Sequence, residues 1–145
     1  MALREFLLGR GEFKTADQII EVVREHSAFN PQREDAAEAE ALLIFQTSKQ
    51  QTWLVATKAR LYCVLDDLGK SFTRVQWTMP AEELVSDGEV TVGISTRDKT
   101  ERTGRLDIGE HRGWLFSKKL FTSEPIEARV RDLIARKMVP QPQAG

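Results

Sequence analysis

Asp66 and Asp67 stand side by side within TWLVATKARLYCVLDDLGK, residues 52–70, and paired carboxylates can do acid–base work or hold a divalent cation. Their spacing argues against both uses. Adjacent strand residues point to opposite faces, and Gly69 follows at once, so a turn-forming pair is the better reading. Glu82-Glu83 reads in the same way as a solvated helical turn. The single cysteine, Cys63, sits between Tyr62 and Val64 in an apolar run, where a thiol is inert packing rather than the nucleophile of a triad with His111. His26 and His111 are far apart in sequence and, with one cysteine, give no metal-ligand spacing. No G-x-S-x-G, glycine-rich phosphate loop or paired C-x-x-C occurs, and Gly9-Arg10-Gly11 is too short to cradle a phosphate. The chain therefore reads as a non-enzyme, with no catalytic residue, cofactor or metal assigned.

A second set of side chains could attract an anion: Arg97, Lys99, Arg102, Arg105, Arg112, Lys118 and Lys119. Across residues 97–119 these bases outnumber Asp98, Glu101, Asp107 and Glu110 by three. Both signs are interspersed, so a solvated loop of mixed charge competes with an anion-binding patch. Trp53, Trp77 and Trp114 all fall in strand patterns and read as core, which leaves no exposed stacking surface for nucleic acid.

The elements that must position these residues follow from periodicity. Thr15 and Gln18 have the form of a capping box before TADQIIEVVREHS, whose Ala16, Ile19, Ile20 and Val23 recur at helical spacing. QREDAAEAEA, residues 32–41, is a polar lead-in. From Leu42 the period becomes two, which predicts strands at 42–47, 51–57, 60–66 and 71–79. Trp53, Val55 and Thr57 share one side of their strand, while Leu54 and Ala56 share the other. RLYCVLD is nearly continuous in apolar residues, as expected where both faces are covered. Thr73, Val75, Trp77 and Met79 are expected on one side. After AEEL, Asp87-Gly88 is a turn signal, and EVTVGIST predicts a strand with Val90, Val92 and Ile94 inward. RDKTERTG, residues 97–104, reads as a long polar loop before strands at RLDIG and WLFS. SEPIEARVRDLIARKM closes the fold as an amphipathic helix, with Ile126, Val130, Leu133, Ile134 and Met138 in one stripe. The expected architecture is mainly β: a seven-stranded antiparallel, partly open barrel capped by the C-terminal helix, plus an N-terminal helix.

Four strands, three strands and a closing helix resemble the pleckstrin-homology (PH) superfold. TWLVATKARLYCVLDD is similar to a strand pair of bacterial PH-like and GRAM-like domains at Thr57, Lys58, Arg60, Leu61 and Tyr62, and Trp114 and Pro125 also fit. The resemblance spans residues 41–138. It leaves residues 1–40 unexplained, and the chain is expected in three parts: an N-terminal helical extension (1–40), a PH-like domain (41–138) and a disordered tail (139–145) after the helix is closed by Pro140 and Pro142. PH domains that bind phosphoinositides carry several bases on the first two strands and their connecting loop. Here TSKQQT supplies only Lys49, so the resemblance does not carry lipid binding over.

The 145 residues suit one domain of ordinary composition, and the formal charge of -1 argues against a chain built to coat nucleic acid. Residues 1–40 hold five bases against nine acids, so the remainder is mildly basic. No apolar run is long enough to cross a bilayer, and the start MALREFLLGRGEF lacks the pattern of a secretory signal. With one cysteine, a cytoplasmic location is expected. The leading expectation is a non-enzymatic interaction module that binds a protein partner or itself. The alternative is a peripheral membrane or anionic-ligand binder using the basic residues of 97–119, and a weaker one is a small-ligand barrel or enzyme.

Overall fold

The computed structural model describes residues 12–110 and 112–138, with Arg112 described by its backbone alone. The positions predicted as tail, 139–145, and His111 lie outside the described residues. Among the described residues the fold is mainly β, with two α-helices and antiparallel sheets that do not close. Helix α1 (Ala16–Arg24) starts at the predicted box: Thr15 Oγ1 accepts from Gln18 N at 3.3 Å, and Gln18 Oε1 accepts from Thr15 N at 2.9 Å. Four strands follow as one meander: β1 (Glu40–Gln46), β2 (Gln50–Ala56), β3 (Arg60–Asp67) and β4 (Phe72–Pro80).

Among the described residues, nine strands in three sheets stand where seven were expected. The difference arises at Asp87-Gly88. Both residues have positive φ, 52° and 78°, which is the geometry of a two-residue hairpin turn. The turn pairs β5 (Val85–Ser86) with β6 (Glu89–Val90). EVTVGIST is therefore not one strand, because Thr91 N and Val92 N both reach back to Leu84 O, at 2.9 and 3.3 Å. Pairing resumes in a three-stranded sheet of β7 (Ile94–Asp98), β8 (Thr103–Ile108) and β9 (Arg112–Ser117). RDKTERTG is likewise a hairpin rather than a long loop. Its turn closes with Thr100 Oγ1 accepting from Arg102 N and Thr103 N, at 3.1 and 3.0 Å.

Both faces of the four-stranded sheet are apolar, and each has its own cover. On one face Trp53, Val55, Tyr62 and Val64 pack with Ile19 and Val23 of α1, and both α1 residues are fully buried. On the other, Ile44, Leu54, Ala56, Leu61 and Cys63 pack with Leu106, Ile108 and Phe116 of the three-stranded sheet and with helix α2 (Ile126–Lys137). The predicted stripe on α2, Ile126, Val130, Leu133 and Ile134, is buried, as is Met138 after it.

Residues 73–79 do not share a side as expected. Cys63 pairs with Trp77 but Val64 with Val75, so Gln76 is an inserted residue and the alternation reverses across it. Val75 packs on the α1 face, whereas Trp77 and Met79 face the other core. The bulge brings Trp77 against Trp114 of β9, with stacked rings 4.3 Å apart at 25°, and so ties the two larger sheets together.

These contacts set two expectations. Ile19→Ala empties a fully buried site between α1 and the sheet and should cost about 2–5 kcal/mol. Gly104 lies against Phe116, whose ring occupies the space a Cβ would need, so Gly104→Ala should cost about 1–3 kcal/mol by overpacking. Urea denaturation measures both. A change within about 0.5 kcal/mol for either, the range of ordinary surface substitutions, would contradict the packing described.

Candidate functional site

β1 and β9 run close together, yet β1 pairs only with β2 and β9 only with β8. No ladder joins them among the described residues, so this seam presents two strand edges with unsatisfied pairing capacity. One end opens into a groove of about 730 Å³. Phe45, Gln46 and Thr47 form one wall, and the other comes from Arg102 in the β7–β8 turn with Lys118 and Lys119 beyond β9. The three bases face one lining acid, Glu101.

The seven predicted anion-patch residues therefore divide. Arg102, Lys118 and Lys119 meet at the groove. Lys99 is exposed at the hairpin turn beside it. Arg97 and Arg105 are cross-strand partners on β7 and β8, and Arg105 is turned onto Asp107 at 3.0 Å, which relieves like-charge opposition. The Arg112 side chain lies outside the described residues. Lys118 contacts Asp98 at 3.0 Å, whereas Arg102 and Lys119 make no ion pair among the described residues.

The carboxylates set aside as turn residues have structural partners. Asp66 is fully buried; its Oδ2 accepts from Lys14 N at 2.8 Å and its Oδ1 from Thr73 Oγ1 at 2.9 Å. Asp67 accepts from Gln50 Nε2 and Lys70 N, both at 2.9 Å, and the Gln50 hydrogen bond leads the interactions that hold its pKa below the ordinary carboxylate value. The two face different partners, as strand alternation requires. Burial pushes the Cys63 thiol up to about 12. No group of three or more His, Cys, Asp or Glu side chains suited to a metal occurs among the described residues.

Sequence reasoning missed Glu34. It is 5% exposed beneath the outer face of the sheet, and its Oε1 accepts from Tyr62 Oη and Thr57 Oγ1, each at 2.6 Å. Its Oε2 accepts from Asn30 N at 2.7 Å. His26 stands 6.4 Å from the Tyr62 ring and accepts from Ala28 N through Nδ1 at 3.1 Å. Nothing in QREDAAEAEA separates Glu34 from its neighbours, because the partners that bury it, Thr57 just after β2 and Tyr62 on β3, are more than 20 residues away. This cluster fastens the N-terminal segment to the sheet; Tyr62 within it is fully buried, while Glu34 also lines a groove of about 700 Å³ between α1 and the segment that follows it.

Comparison of the chain with protein-family models, curated proteins and solved structures finds no match.

Burial, then the Glu34 hydrogen bond, raise the Tyr62 pKa above its ordinary 10.0, so folding favours the neutral phenol. That stability is complete below the unfolded pKa and is lost as pH rises above it toward the folded one. Tyr62 is the single tyrosine, so near-ultraviolet phenolate absorbance reports it alone. The phenolate should appear only as far-ultraviolet circular dichroism is lost; ionisation near pH 10 with native dichroism retained would contradict the cluster. Tyr62→Phe should cost about 1–3 kcal/mol by removing one of the two hydroxyls on Glu34 Oε1.

Proposed function

We propose that the protein is a PH-like, non-enzymatic interaction module that engages a polypeptide partner at the β1–β9 seam. One observation carries this reading: two strand edges without a shared ladder flank an open groove lined by polar and basic side chains. The strongly perturbed thiol and phenol, Cys63 and Tyr62, are both fully buried, away from that groove, which supports binding rather than catalysis. Self-association at the same seam is one form of this function. A second reading has its own support, since Arg102, Lys118 and Lys119 meet in one groove and could bind an anionic lipid surface.

A photo-crosslinking residue placed at Gln46, beside the groove, should form adducts with polypeptide in the cell. The same residue at exposed Gln76, on the far edge strand β4, should not. Equal labelling at both positions, or none at Gln46, would contradict a seam-directed module. Flotation with anionic vesicles at low salt, together with no polypeptide adduct, would transfer the function to the second reading.

A further inference from the structure

We infer that the occupant of the seam is an acidic, extended polypeptide segment that adds as a short strand beside the Phe45–Gln46 end of β1, with alternate carboxylates on Arg102, Lys118 and Lys119. This deepens the interaction-module reading and rests on it.

Three features of the groove converge on that chemistry. The first is charge. Arg102 and Lys119 have no ion pair among the described residues, and the partner of Lys118, Asp98, is 83% exposed and so held weakly in water. A carboxylate entering the groove therefore meets cations that are not already neutralised.

The second is the backbone. β1 is hydrogen-bonded to β2 as far as Gln46↔Gln51, and its other edge has no ladder among the described residues. The shift of register between Leu43 and Phe45 breaks this edge, so regular pairing with an added strand is confined to the stretch that reaches the groove. The third is the period. A strand sends alternate side chains to opposite faces, so acids at every second position all point toward the bases while the intervening residues point away. Gln46, Thr47 and Ser117 add uncharged hydrogen-bonding groups to the lining, and Phe45 supplies apolar surface.

Fluorescence anisotropy with the full chain tests this, using labelled peptides of alternating Glu and Val, Gln and Val, or Lys and Val. The Glu peptide should bind in low salt, weaken by about tenfold or more in the Arg102→Glu/Lys119→Glu double variant, and weaken further as salt rises. Arg102→Gln/Lys119→Gln, with circular dichroism as a check on folding, serves if charge reversal disturbs the chain. N-methylation at every second peptide nitrogen should abolish binding in one register and spare it in the other. Equal binding of the Gln or Lys peptide would overturn the acidic preference while leaving the seam reading intact. Equal tolerance of both methylated registers, or displacement by inorganic phosphate at matching concentration, would show a simple anion site and overturn the added strand. Failure of all three peptides would overturn both the inference and the seam reading.

Discussion

A β-sheet with two apolar faces cannot stand in water, and the four-stranded meander of this protein has two such faces. That constraint organises the molecule. α2 and the three-stranded sheet cover one side; α1 and the segment that follows it cover the other. The N-terminal segment is therefore part of the packed fold. Exposing Trp53, Val55, Tyr62 and Val64 would return four large or branched apolar side chains to solvent, at about 1.5–3 kcal/mol for each aliphatic or aromatic residue fully uncovered.

Buried carboxylates fasten the N-terminal cover from opposite directions. Glu34 reaches from the segment to hydroxyls on Thr57 and Tyr62, and Asp66 reaches from the sheet to the backbone of Lys14. Each is surrounded by donors, the condition under which a buried carboxylate is tolerated. The second cover is held at its rim by Arg136, which makes a two-pronged contact to Glu40 at 2.8 and 2.7 Å and a further one to Asp132 at 2.7 Å. That pair is partly exposed, so it orients the end of α2 against β1 more than it stabilises the fold. With both faces occupied, β1 remains as an edge strand beside β9. The bases of the β7–β8 turn and of the stretch after β9 gather at one end of that seam.

Periodicity revealed the elements whose determinants are local. The capping box at Thr15, the two-sided burial of Trp53 to Ala56, the Asp87-Gly88 turn and the α2 stripe all depend on near neighbours in sequence. Features decided at long range were not legible. The bulge at Gln76, which sends Val75 and Trp77 to different cores, depends on how β4 meets β3. Hairpin pairing carried strand structure into the polar stretch RDKTERTG, because its solvent-facing side chains leave no apolar period to read. Within the candidate site, the seven bases were visible as a set. Their division into three groove residues, an exposed turn lysine and three strand residues, Arg97, Arg105 and Arg112, required the seam, which no local pattern encodes. Glu34 was hidden among similar acids for the same reason.

Native-state hydrogen exchange tests the central claim, that residues 12–39 and the meander form one doubly covered unit with an open seam. The amides of α1 hydrogen-bonded within the helix should exchange with the same opening free energy as those of β2 and β3, while amides on the unladdered edges of β1 and β9 exchange far sooner. Rapid exchange throughout α1 beside a fully protected sheet would contradict the account, as would β1 and β9 edges protected as strongly as β2 and β3.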